Sequence, residues 1–181
     1  MNEIFLFIIA FLVGVLTRYV DLIEDHKAKS FRYANIIFGC VYGLLIIFAV
    51  VNFTAIAPLV IGTIIGLFIA NKIDRIGHVA GVSIFIILLL FFYFNFEVDI
   101  IFVYLVIIFA VVNFIEEKLN NMFDKIKTKK LFGKILNYRP LLEVATFIIS
   151  AYTGLWILWF TLFSYDIGYN LLGLVLRKNI F

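Results

Sequence analysis

Apolar runs long enough to cross a bilayer, separated by brief polar breaks, leave this chain few ways to fold. A membrane helix needs about 20 apolar residues, with a range near 17 to 25. Residues 4–20, 36–53, 55–70, 79–96, 100–115 and 141–163 each come close to that length. Composition points the same way. The chain is 65% hydrophobic and 15% charged, where soluble domains carry roughly 45 to 50% apolar and about 25% charged residues. A water-soluble domain of 181 residues has no means of hiding that much apolar surface. The expected fold is therefore all-α: one polytopic integral membrane helical bundle over residues 1–181 with about six transmembrane helices, multi-pass in the cell (plasma) membrane of a prokaryote.

The first run lacks a basic leader and carries Glu3, so it reads as a retained span and not as a cleaved signal. Arg18 is tolerated near its end because a long side chain snorkels to the interface. Pro58 suits the first turn of the third span, where its missing N–H breaks no bond. In the tail, residues 164–181, the apolar run 171–176 is too short to cross. It is expected to lie along the outer interface, a half-buried hairpin being the alternative.

Placement of the basic residues sets the orientation. Thirteen of the fifteen Lys and Arg fall after spans 1, 3 and 5 or, for Arg18, at the end of span 1, and none falls in the loops after spans 2 and 4. By the positive-inside rule those odd-numbered loops are cytoplasmic and the N-terminus is outside.

Gly39 and Gly43, Gly62 and Gly66, and Gly77 and Gly81 each place two small residues on one helix face. Close backbone approach is what drives helix association in lipid. Spans 2, 3 and 4 are thus expected to form one tight unit, with homo-oligomerisation through one of these faces an option. The single cysteine, Cys40, lies in an apolar run and provides neither a disulfide nor a zinc pair.

Two polar segments hold candidate chemistry. At the end of span 1 a continued helix puts Arg18, Asp21 and Asp25 on one face. Two carboxylates a turn apart repel unless a cation lies between them, which suits a divalent ion or a phosphate held through one. Ion pairs of Asp21 with Arg18 and Asp25 with Lys29 would serve equally. In the bend after span 3, Asn71, Asp74 and His78 share a face if the bend is helical. That set suits a hard or borderline metal, or proton transfer through a histidine that titrates near neutral pH. The bland alternative has Asn71 as a cap, Asp74 on a helix dipole and His78 at headgroup level. The candidate catalytic residues are accordingly Asp74, His78 and Asp21, and the candidate metal ligands Asp21, Asp25, Asp74 and His78.

After span 5, Ile115, Leu119, Met122 and Ile126 keep helical spacing opposite Glu, Asn, Asp and Lys. An amphipathic cytoplasmic helix is expected there between spans 5 and 6. Lys125, Lys127, Lys129, Lys130 and Lys134 would then meet anionic lipid headgroups, each worth about 1 kcal/mol. Without an aromatic or Arg platform these lysines do not suit nucleic acid. Glu143 reads as a dipole feature paired with Arg139, and Tyr165, Asp166, Tyr169 and Asn170 as an outer aromatic belt.

No Asp, Glu, Lys, Arg or His falls at the centre of a span, which weighs against an ion-coupled transporter. The acids gather at the cytoplasmic interface instead. An interfacial enzyme or binding protein with a polar, potentially metal-binding site on that face is the leading class. A structural or assembly subunit without chemistry is the alternative, followed by a small transporter or channel with 3+3 inverted topology. Asp21 or Asp25 with Asp74 is similar in position to the acids of prepilin-type aspartyl peptidases. The resemblance stops there: Asn71, Lys72 and Ile73 stand where Gly-x-Gly should precede the second acid, and the nearest text to Ile-Pro-Asn is Arg32-Tyr33-Ala34-Asn35. No P-loop, HExxH helix or Ser-His-Asp set is present.

Overall fold

The computed structural model describes residues 2–25, 30–96, 103–125 and 140–180, and all regular structure among them is helical. We number the helices α1 (Glu3–Glu24), α2 (Ala34–Asn52), α3 (Ala57–Ile69), α4 (Ile76–Phe96), α5 (Val103–Lys125), α6 (Pro140–Thr153) and α7 (Trp156–Ile180). A single 3-10 turn, Thr54–Ile56, precedes α3. Three stretches, Glu3–Glu24, Ala34–Asn52 and Ile76–Phe94, are long and apolar enough to cross a membrane.

Local chemistry explains the boundaries. Asn2 caps α1 by accepting from the Ile4 N–H at 3.2 Å, with Glu3 in the positive first turn. Asn71, at φ +56°, ends α3 in a Schellman arrangement: its N–H reaches the Phe68 carbonyl and the Lys72 N–H that of Leu67, both at 3.0 Å. Residues 72–75 are consequently not helical, so Asn71, Asp74 and His78 do not share the helix face the sequence suggested.

The span expected over 141–163 is two helices. Gly154 adopts φ +75°, a conformation that strains any residue with a Cβ, and the chain turns back there. Trp156 and Trp159 pack on Phe147 with ring centroids 5.6 and 5.5 Å away, and Trp159 Nε1 donates to Glu143 at 3.1 Å. Glu143 therefore has a partner in the next helix; Arg139, its expected one, lies outside the described residues. From Trp156 one helix continues to Ile180, through the stretch expected as an interfacial tail. The physical reason is that Gly154 takes the left-handed conformation that ends a helix, whereas residues 164–170 stay helical.

The chain divides into two compact units. The first comprises residues 1–54, 73–99 and 160–181; the second comprises residues 55–72 and 100–159. In the first, Gly39 and Gly43 of α2 lie against Gly77 and Gly81 of α4 so closely that a Cβ on either α2 glycine would overlap an α4 carbonyl oxygen. The register, 39 to 77 and 43 to 81, makes these helices parallel. Helix α7 runs parallel to α1, with Phe160 by Phe7, Tyr165 by Gly14 and Tyr169 by Arg18. Leu6, Ile9, Val20, Val50 and Phe85 fill the core between them. In the second unit Gly62 and Gly66 of α3 pack on α5, at Phe109 and Asn113, again in parallel. Spans 2, 3 and 4 thus do not form one unit, and all three glycine pairs are covered by helices of the same chain. Each pair selects the neighbour whose backbone can approach, which the sequence alone does not name.

Candidate functional site

The last turns of α1 and the start of α4 meet in the first unit, and a chain of polar groups crosses there. His78 Nε2 donates to Asp21 Oδ1 at 2.8 Å, and Tyr169 of α7 donates to Asp21 Oδ2 at 2.6 Å. Arg18 donates to the Tyr169 hydroxyl at 3.0 Å and stands 4.9 Å from the centre of its ring. On the other side of His78, Nδ1 lies 3.1 Å from the hydroxyl of Tyr42 on α2. That hydroxyl has a second acceptor in the His78 carbonyl oxygen, at 3.4 Å. One hydrogen-bonded line therefore runs through Tyr42, His78, Asp21, Tyr169 and Arg18, drawn from four helices. The glycine at 81 is what admits it, since a Cβ there would overlap the Tyr42 ring.

The line has a defined proton logic. His78 donates from Nε2 to the carboxylate in either protonation state. With a neutral ring, the Tyr42 hydroxyl donates to Nδ1; with a protonated ring, it accepts from Nδ1–H and turns its own hydrogen to the His78 carbonyl. Side-chain exposures of 17% for His78 and 18% for Asp21 leave the pair within reach of an outside molecule.

Beside it, Glu24 Oε1 accepts from the Gly77 N–H at 2.9 Å and from Asn35 Nδ2 at 2.7 Å. Glu24 thereby satisfies a free amide in the first turn of α4 and ties α1, α2 and α4 together. Asp25 pairs with Arg75 at 3.1 Å, both about half exposed.

Of the residues singled out in the sequence, Asp21 and His78 are thus brought into contact, though from separate segments. Asp25 is near but engaged with Arg75 in place of Lys29, which lies outside the described residues. Asp74 is exposed and makes no side-chain hydrogen bond or ion pair among the described residues. The four do not converge as metal ligands: among the described residues no group of three His, Cys, Asp or Glu side chains stands close enough to hold an ion. The reason is that Asp21 and His78 satisfy each other and Asp25 already has a guanidinium. Among the described residues no pairing of two aspartates of the peptidase kind is formed either.

Sequence reasoning missed Glu24, Tyr42 and Tyr169. Tyr169 was expected in an outer aromatic belt, but α7 carries it beside Arg18 and Asp21, with Tyr165 stacked on it at 6.2 Å. The lysines 127, 129, 130 and 134 lie outside the described residues. On α5 the acidic side faces inward: Glu116 and Glu117 are 1% and 7% exposed, whereas Ile115 and Met122 are 45% and 57% exposed.

The second unit contains the same joint without the acid–base pair. Glu116 Oε1 accepts from the Leu141 N–H at 2.9 Å, the second residue of α6, as Glu24 accepts from the second residue of α4. Glu117 pairs with Lys72 at 3.3 Å, as Asp25 pairs with Arg75. Three residues before each glutamate stand Asp21 and Asn113; one residue after each capped amide stand His78 and Leu142. A hydroxyl following a glycine meets each: Tyr169 bonds Asp21, and Thr63 accepts from Asn113 at 3.1 Å. The signal was present in the text as DLIED at 21–25 and NFIEE at 113–117. No protein-family model, curated protein or solved structure matches the chain.

Proposed function

We propose that this protein is a multi-pass membrane protein of the cell membrane whose Asp21–His78 pair forms a proton-exchanging site on the cytoplasmic face. It belongs to the class of interfacial enzymes or binding proteins, with His78 as general base or acid, Asp21 as the group that orients it, and Tyr42 as its proton partner. The observation that carries this reading is the second joint. Asn113 and Leu142, 2% and 0% exposed, hold the same position with no ionisable group, so closing two helix ends does not require an aspartate and a histidine. A group that packing does not need, retained in a water-poor place, is a candidate for chemistry. Arg18 Nε and Glu24 Oε2 add to this, being buried with no hydrogen-bond partner among the described residues. Such groups cost about 1–3 kcal/mol each if left unsatisfied.

The packing supports a membrane topology of seven crossings. Helices α1 and α7 are parallel, as are α2 and α4, and α3 and α5: odd with odd and even with even. A chain crossing seven times, N-terminus outside, has that pattern. Arg177 and Lys178 then join the other thirteen basic residues on the cytoplasmic side. Polar residues inside and Ile, Phe and Leu outside are also what lipid as solvent favours.

The test is nuclear magnetic resonance of the ¹⁵N-histidine-labelled full chain in nanodiscs, with His26→Asn leaving His78 as the sole imidazole. Over a titration from pH 5 to 9 the ¹⁵N shifts of His78 are expected to report a change of protonation form, and Asp21→Asn to alter that change because an anionic partner is lost. An imidazole that keeps one form over that range, in wild type and variant alike, would refute proton exchange and leave a structural bond.

A further inference from the structure

Helix α7 runs unbroken through the stretch read from the sequence as a tail, and this puts an acid inside the membrane. Asp166 stands ten residues beyond Trp156, at which the 25-residue helix begins. At 1.5 Å per residue it lies about 15 Å from the outer end, half of a hydrocarbon core of about 30 Å. The six-span pattern has no ionisable residue at the centre of a span; a seventh crossing along α7 supplies one. Charge at that depth is costly, and acids kept there mark ion and proton sites.

Packing fixes the depth and the side. A Cβ on Gly14 of α1 would overlap the Tyr165 carbonyl oxygen, and one on Gly168 the Phe11 carbonyl oxygen, so the middle of α7 is locked to the middle of α1. Phe163, Ile167 and Leu174, 44–63% exposed, mark the lipid side of α7. Asp166 is half-buried off that side, on the stripe of Leu162, Tyr169 and Gly173. Tyr169, one turn towards the cytoplasm, donates to Asp21, and Arg18 Nε lies 3.1 Å from where a Cβ on Gly173 would stand.

Within the first unit polar groups accompany Asp166 on one side only. Outward of it, residues 4–16 of α1, 43–51 of α2 and 84–92 of α4 carry no polar side chain. Towards the cytoplasm stand Arg18 and Asp21 on α1, Tyr42 on α2, His78 on α4 and Tyr169 on α7, with Tyr165 stacked on Tyr169. Glu24 lies beyond them, capping α4. A lone carboxyl among hydroxyls suits a proton. A metal ion needs several ligands, and among the described residues no three His, Cys, Asp or Glu side chains gather to hold one.

Resting on the Asp21–His78 reading and on seven crossings, we propose that Asp166 is a proton-binding site at the bilayer midplane, loaded from the cytoplasm through Tyr169 and the Asp21–His78 pair. The proton passes from the Asp21 carboxyl to the Asp166 carboxylate and back; only O–H bonds form and break, and no second reactant is needed. A midplane proton site with a polar route to one face is what one state of a proton-coupled carrier presents.

The experiment uses dicyclohexylcarbodiimide, a lipid-soluble reagent that adds only to protonated carboxyls, with peptide mapping by mass spectrometry to read the adduct on each acid. Membrane vesicles from the expression host carry the full chain. Inverted vesicles turn the cytoplasmic face to the medium and right-side-out vesicles the outer face. With the lumen buffered at pH 8, a brief drop of the medium to pH 6 is expected to raise labelling of Asp166 several-fold in inverted vesicles and to leave it unchanged in right-side-out ones. Tyr169→Phe, which keeps the ring and removes the hydroxyl, should slow that rise several-fold, its folding being checked by unfolding in SDS. An Asp166 that takes no label, or the same label at both pH values, overturns the proton site. A rise in right-side-out vesicles overturns cytoplasmic loading, and a rise indifferent to Tyr169→Phe overturns the route. Each of these leaves the His78 resonance free to titrate, so the proposed cytoplasmic site stands or falls separately.

Discussion

Converting the first joint into the second tests the Asp21–His78 pair most directly. The two changes are Asp21→Asn and His78→Leu, made singly and together. In Asp21→Asn the side-chain carbonyl still accepts from His78, but the amide faces Tyr169, whose hydroxyl already receives Arg18 and can no longer donate. Two charge-assisted bonds become neutral or mismatched, each worth about 1.5–3 kcal/mol intact; with residual solvent at the pair we expect a loss of about 2 kcal/mol. In His78→Leu the carboxylate keeps only Tyr169. Removing one partner of a buried pair costs about 3–5 kcal/mol, and because both side chains keep 17–18% exposure the lower end applies. The double variant leaves no stranded charge and copies Asn113 and Leu142. It should therefore lose less than the two singles together, by a coupling of about 1.5–2.5 kcal/mol. The assay is reversible unfolding in mixed micelles with increasing SDS, followed by tryptophan fluorescence at pH 7.5. Additivity within about 0.5 kcal/mol would mean that the two side chains do not share the bond on which the proposed site depends.

Other expectations are independent of chemistry at His78. Gly43→Ala pushes a methyl into the Gly81 carbonyl and must separate α2 from α4, so a loss of about 1–3 kcal/mol is expected in the same unfolding assay. Gly154→Ala meets nothing within 4 Å and should cost only the strain of φ +75°, about 1 kcal/mol; an equal or larger loss than Gly43→Ala would refute the close α2–α4 contact. A fluorescent reporter that matures only in the cytoplasm, fused after Phe181, should be bright if α7 is a seventh crossing, and a dark one would restore six.

The composition and spacing of apolar runs were enough to establish an all-helical fold, because lipid-length hydrophobic helices satisfy their own backbone bonds. Helix starts at Asn2 and Pro140 were local matters of capping. So was the importance of the glycine pairs, since close approach needs only small residues at a fixed spacing. What the linear pattern did not supply was the identity of partners. Gly62 and Gly66 could have met any neighbour, and the α5 backbone meets them. Asp74 looked as good as Asp21 in the text, yet the Schellman turn at Asn71 leaves it in the open while α4 starts late enough to aim His78 at Asp21. Tyr42 and Tyr169 are single hydroxyls far along the chain, legible only when α2 and α7 are packed on α1 and α4. The break at Gly154 decided the most, because one left-handed residue turned a presumed outer tail into the helix that completes the site. Sequence determined which segments become helices, through short-range bonding and hydrophobicity. Tertiary packing alone decided which polar ends meet, because those contacts join residues up to 151 positions apart.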